Sequence, residues 1–100
     1  WKQMEPILSR ALELAPDLHA VYNLRGVCYF KEHRYEQAIA DFQAALRLDP
    51  GSAMDLANLG ICLKRSGKTK QAVGYLQAGL ELDPGLETAR SELKDLLARE

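Results

Sequence analysis

Two histidines, two cysteines and one Gly-Lys-Thr string are the residues of this 100-residue chain whose types could carry chemistry. A histidine acting as metal ligand or general base needs a second ligand or an orienting carboxylate at a fixed spacing. His19 and His33 have no phased Cys or Asp partner, and both fall near helix ends or turns, so they read as solvated surface residues. Gly67-Lys68-Thr69 copies the end of a phosphate-binding loop. That loop also requires a glycine five residues before Gly67, where Cys62 stands, and a strand before it, which the pattern here does not offer. The string therefore reads as a turn followed by a helix start. No catalytic, cofactor-binding or metal-binding set emerges, and the chain is expected not to be an enzyme.

The cysteines are informative for their spacing instead. Cys28 and Cys62 are 62 − 28 = 34 residues apart, and so are Gly26 and Gly60. A fixed period of this length marks a repeat architecture. Shifted by 34, Gln37, Ala38 and Ile39 fall on Gln71, Ala72 and Val73; Phe42, Gln43 and Ala44 fall on Leu76, Gln77 and Ala78. Leu46, Leu48, Asp49, Pro50 and Gly51 fall on Leu80, Leu82, Asp83, Pro84 and Gly85, while Leu8, Ala11, Leu12, Leu14 and Pro16 precede Phe42, Ala45, Leu46, Leu48 and Pro50 by the same interval.

The pattern resembles the tetratricopeptide repeat, whose signature is W-x2-L-G-x2-Y, then A-x3-F, then P. The first full copy runs Tyr22-x2-Arg25-Gly26-x2-Tyr29, Ala38-x3-Phe42, Pro50; the second runs Leu56-x2-Leu59-Gly60-x2-Leu63, Ala72-x3-Leu76, Pro84. Arg25 stands where Leu is usual and Gly79 where Ala is usual. The resemblance implies an all-α fold, an α-solenoid in which antiparallel helix pairs wind into a right-handed superhelix of about six helices. It also implies a single domain over 1–100: a half repeat at 1–16, repeats at 17–50 and 51–84, and a capping helix at 85–100. Stacked equivalent positions lie about 10 Å apart, beyond the Cα separation of about 7 Å that a disulfide allows. The cysteines are thus expected to be small buried hydrophobes, which favours a reducing compartment, the cytoplasm, for the protein.

Composition agrees with a small packed domain: 47% of residues are hydrophobic, and the net charge of −1 gives no case for nucleic-acid binding. No apolar run reaches membrane-span length, and Trp1-Lys2-Gln3-Met4 is no signal peptide. A chain that opens inside a repeat without Met is expected to be a fragment. Helices are predicted over 2–14, 18–32, 35–48, 53–65, 69–82 and 87–98, with Asp17 and Ser52 as N-caps. Pro16, Asp49-Pro50-Gly51 and Asp83-Pro84-Gly85 act as stops. In the last helix Leu86, Ala89, Leu93, Leu96 and Leu97 are expected inward, with Glu87, Arg90, Glu92, Lys94, Asp95 and Arg99 outward as a solvated cap. The first helix carries apolar Met4, Ile7 and Leu8, expected to be partly uncovered and to support self-association.

Arg25 becomes Leu59 one repeat later while Asp41 becomes Tyr75. Both change from charged to apolar together, which predicts an Arg25–Asp41 ion pair between the two helices of one repeat; the rival is an Arg25 that points at a ligand. Opposite the core stripe, the first helix of each repeat lines the concave groove of an α-solenoid. The groove residues are expected to be Asn23, Val27, Phe30 and Lys31, with Met54, Asn58, Ile61, Lys64 and Arg65. They suit a peptide or protein partner with an apolar anchor near Phe30 and Ile61 and an acid near Lys64 and Arg65, its backbone bonded by Asn23 and Asn58; a plain solvated face stays open. Some relatives hold acidic chaperone tails in a clamp of Lys and Asn side chains. Here only Asn58 matches that clamp; Asn23, Val27, Thr88 and Glu92 depart from it, which argues against that ligand. The expected function is a non-catalytic interaction scaffold. An accessory domain of a larger enzyme or secretion machine, or a self-association module, is the alternative.

Overall fold

The structure, a computed structural model, describes residues 2–99; the expected domain ends Trp1 and Glu100 lie outside the described residues. The described residues form the helices α1 (Met4–Leu14), α2 (His19–Lys31), α3 (Tyr35–Leu48), α4 (Ala53–Arg65), α5 (Thr69–Leu82) and α6 (Glu87–Ala98). They divide into two compact units, Trp1–Pro50 and Gly51–Glu100, and the division falls at the predicted repeat boundary.

In the first unit α1 packs on α2, and α2 packs on α3. The α2–α3 contact is close because Gly26 presents no side chain: a Cβ there would lie 2.9 Å from Phe42 Cε1. Ala38, Phe42 and Ala45 fill the seam and are almost wholly buried. The second unit repeats the device. A Cβ on Gly60 would lie 2.8 Å from Leu76 Cγ, and one on Gly79 would lie 3.2 Å from the Ala53 carbonyl oxygen. Gly79, where a larger residue is usual, thus lets α5 approach the start of α4. α6 then packs on α5 and α4.

The turns are copies of one another. His33 has φ 60° and Gly67 has φ 82°, and 67 − 33 = 34. In each turn the next residue's N–H donates back to the helix, Arg34 to Tyr29 O and Lys68 to Leu63 O, both at 2.8 Å. This is the Schellman closure, which places one residue in the left-handed region where glycine is favoured.

Three local expectations are corrected. α1 starts at Met4 rather than residue 2. A start at residue 2 would ask Pro6 for an N–H donor it lacks, whereas a start at Met4 puts it among the first four residues, whose N–H groups have no helical acceptor. The N-cap of α2 is Leu18, not Asp17, and it makes no side-chain cap bond. The repeat fixes the cap at 18, 52 and 86, occupied by Leu18, Ser52 and Leu86, and only Ser52 can accept; its Oγ takes the Asp55 N–H at 3.3 Å. In α6, Ala89 and Leu96 are buried but Leu97 is 48% exposed. Leu97 lies on the flank of the stripe formed by Ala89, Leu93 and Leu96 at helical spacing.

Candidate functional site

In the first unit Arg25 of α2 turns inward. Arg25 grips Asp41 with two parallel bonds, Nε to Oδ2 and Nη2 to Oδ1, both 2.7 Å. Its Nη1 donates to Ser9 Oγ on α1 at 3.2 Å, so one guanidinium joins three helices. The fork geometry suits a carboxylate, and the Asp41 side chain is only 5% exposed. The bond to Asp41 outweighs burial and raises the Arg25 pKa above its usual value. Arg25 thus makes the ion pair with Asp41 that the joint change of the two positions predicts. Beside it Tyr29 donates to Glu5 Oε1 at 2.9 Å, and the Arg34 guanidinium lies 4.7 Å from the Tyr29 ring centre. Burial, and then the bond to Glu5, pushes the Tyr29 hydroxyl pKa up. The Glu5 and Ser9 contacts were not foreseen, because single polar residues on α1 carry no phased signal.

The exposed side of α2 carries the expected residues. Asn23, Val27 and Phe30 are half-buried and Lys31 is exposed. Phe30 is held edge-on against Tyr35, with ring centres 5.7 Å apart. His33 Nδ1 and the Tyr35 hydroxyl are 2.7 Å apart, and His19 Nε2 is 3.8 Å from Asp49 Oδ2. His19 thus has an acidic neighbour that spacing did not reveal.

In the second unit the expected residues separate into two groups. Met54 is 52% exposed, Asn58 is half-buried and Arg65 is exposed. Ile61, expected as an anchor, is only 7% exposed, one of a run of buried α4 residues with Leu59, Cys62 and Leu63. Lys64 is corrected too. Its Nζ donates to Glu92 Oε2 at 2.6 Å and Asp95 Oδ2 at 2.7 Å, and its side chain is 10% exposed. Burial works against its charge, but the bonds to Asp95 and Glu92 prevail and raise its pKa. The bond to Lys64 holds Asp95 below the usual carboxylate range. Arg65 lies 3.8 Å from Glu92, and Arg99 2.9 Å from Asp95. Glu92, expected on the solvated outer face, instead faces α4.

Cys28 and Cys62 are buried free thiols. Burial raises both, Cys62 to about 12, so they stay protonated and inert near neutral pH. Asp55, fully buried in the first turn of α4, escaped the sequence reading because an acid at a helix start is ordinary.

Residues 19–52 and 56–86 each match a family profile described as tetratricopeptide repeat. A Giardia intestinalis UDP-N-acetylglucosamine–peptide N-acetylglucosaminyltransferase is 42% identical over 50 residues, half of this chain; the chain spans only 3% of that protein's length. Among solved structures, a Thermobaculum terrenum O-GlcNAc transferase mutant is 33% identical with a TM-score of 0.87, covering 93% of this chain and 18% of that one. The second TPR domain of human RPAP3, in complex with an HSP70 peptide, is 25% identical with a TM-score of 0.88, covering 92% of this chain and 77% of that one. The all-α, α-solenoid class expected from the sequence is the class of these folds. With two consecutive copies matched in phase, the chain belongs to the tetratricopeptide repeat family.

Proposed function

We propose that this chain is a non-catalytic interaction module that holds partner peptide segments on the exposed face of α2 in the first unit and on that of α4 in the second. Asn23, Val27, Phe30 and Lys31 contribute from α2, and Met54, Asn58 and Arg65 from α4. The observation that carries the reading is the division of labour on these helices. Arg25 and Lys64 are paired inside their own units, while Met54 stays exposed and Phe30 half-buried on helices that also carry Asn23 and Asn58. An extended peptide can place an apolar anchor against Met54 or the open edge of Phe30 and offer backbone groups to Asn58. Lys64 is already neutralised by two carboxylates, so an acidic ligand residue gains little at that end. Acidic peptides, such as the HSP70 peptide in the RPAP3 complex, are accordingly poor ligands: Glu92 is a carboxylate where a clamp needs a cation. The affinity expected of a small transient surface is about micromolar or weaker.

A peptide array read at low and high salt tests this. Phe30→Ala is expected to weaken apolar binders about tenfold at both salts, and Asn58→Ala to weaken them similarly. Binders that are mainly acidic, or that ignore Phe30→Ala, would contradict the assignment.

Two further readings have support. The stretch of likeness to two glycosyltransferases favours an accessory role within a larger enzyme, and a catalytic domain in the same reading frame would establish it. Exposure of Met4 at 39% and Ile7 at 69% favours self-association through α1, which sedimentation would reveal; Leu8, by contrast, is buried and unavailable. No described helix is long and apolar enough to cross a membrane, and the buried thiols support a reducing compartment, the cytoplasm.

A further inference from the structure

A cavity of about 170 Å³ opens in the first unit, lined by none of the residues assigned to a peptide. Its lining is Pro16 beyond the end of α1, Tyr22 in the first turn of α2, and Ala44, Arg47 and Leu48 toward the end of α3. Ala44 is buried and Tyr22 half-buried, whereas Pro16, Arg47 and Leu48 are exposed, so a small molecule can enter without any helix moving. The 34-residue register divides this lining in two. Pro16, Ala44 and Leu48 return as Pro50, Ala78 and Leu82 and belong to the common frame. Tyr22 and Arg47 become Leu56 and Glu81, so a hydroxyl is lost and a charge reversed together. Two joint changes on the lining of one cavity point to a shared task, as the exchange of Arg25 and Asp41 does. Helix formation asks for neither residue. Leu56 takes the Tyr22 position in α4, and α5 reaches the same Asp-Pro-Gly stop with Glu81 and no cation in its last turn.

The polar groups here are also uncommitted. Among the described residues Arg47 makes no ion pair or hydrogen bond, and the Tyr22 hydroxyl makes no hydrogen bond. Arg25 lies 5.9 Å from the Tyr22 ring centre but is held by Asp41. Of the carboxylates close in sequence, Asp49 lies 3.8 Å from His19, and Asp17 does not line the cavity. We propose that this cavity binds a small aromatic carboxylate, its anion on Arg47 and the Tyr22 hydroxyl and its ring against Pro16, Ala44 and Leu48. The guanidinium fork matches a carboxylate, and the phenol adds one more donor. The apolar walls call for an apolar body. Volume sets its size: benzene fills a cavity of about 150 Å³, so one ring fits and two do not. With an open mouth and few contacts, the expected dissociation constant is about millimolar.

Titration of the full chain with benzoate, followed by backbone amide shifts, tests the assignment. Saturable shifts are expected at Tyr22, Ala44 and Leu48, half-complete at about 1 mM. Benzyl alcohol keeps the ring without the charge, and acetate keeps the charge without the ring; each should need about tenfold more ligand. Arg47→Glu installs the residue that the next repeat uses, so it should melt with the parent yet abolish the benzoate shifts. Arg47→Lys should keep part of the binding, and Tyr22→Phe should weaken it about threefold; these two milder variants carry the test if Arg47→Glu fails to fold. The proposal is overturned if benzoate gives no saturable shifts or binds no better than benzyl alcohol. Benzoate shifts that survive Arg47→Glu, or an equal response to inorganic phosphate, would overturn it as well.

Discussion

At the scale of single residues, the exchange of Arg25 and Asp41 for Leu59 and Tyr75 shows how a buried ion pair can be read without a structure. Each member alone is ambiguous, and only their joint change one repeat later points to contact. The bidentate geometry makes the coupling testable. Arg25→Leu strands Asp41, whose side chain is 5% exposed, and is expected to cost about 3–5 kcal/mol in denaturant melts. The double variant Arg25→Leu, Asp41→Tyr should recover more than half of that loss, because repeat two already uses the pair. Additive losses would contradict the coupling. The turn residues offer a second comparison. Gly67→Ala places a Cβ at φ 82° and is expected to cost about 1 kcal/mol. His33→Gly should melt at or above the parent temperature, because the left-handed backbone no longer carries a side chain. A clear loss of Tm would show that the His33–Tyr35 contact matters more than the backbone.

Among the elements, helix positions followed from the 34-residue register, since apolar spacing and the Asp-Pro-Gly stops agree. What failed was local. The α2 cap moved from Asp17 to Leu18 because repeat geometry, not side-chain preference, sets where the helix starts. Glu92 left the predicted solvated face because Lys64 supplies a partner that an isolated helix pattern does not contain. This clamp ties α6 to α4, so Lys64→Met is expected to speed amide exchange across Glu87–Ala98 about tenfold while leaving α2 and α3 unchanged. Its pH dependence has a definite sign. Asp95 is lowered in the folded state, so its contribution is complete above its ordinary value of 3.8 and is lost as pH falls through the lower folded one. Lys64 is raised, so its contribution is complete below 10.5 and is lost as pH rises through the raised value. Exchange protection of α6 should therefore stay flat between about pH 5 and 9 and fall on the acid side. The glycine seams act at the same scale. Gly26→Ala pushes a methyl into the Phe42 ring and is expected to cost about 1–3 kcal/mol by thermal melt.

For the whole molecule, fold class was legible because a repeat states its pattern more than once. The binding surface was legible only in part. Phase pointed to α2 and α4 as the helices proposed to carry it, but not to the burial of Ile61 or to the pairing of Lys64 with Glu92 and Asp95, which are distant in sequence. What remains on each helix is an apolar side chain with an amide near it, and the central claim of the proposal is peptide binding on α2 in one unit and on α4 in the other. The most direct measurement is a map of backbone amide shifts on titration with the strongest array peptide. The account predicts saturable shifts concentrated at Asn23, Val27, Phe30, Met54 and Asn58, with saturation moved to about tenfold higher peptide concentration by Phe30→Ala. Shifts concentrated on α3 and α5, or an array with no binder at all, would contradict it.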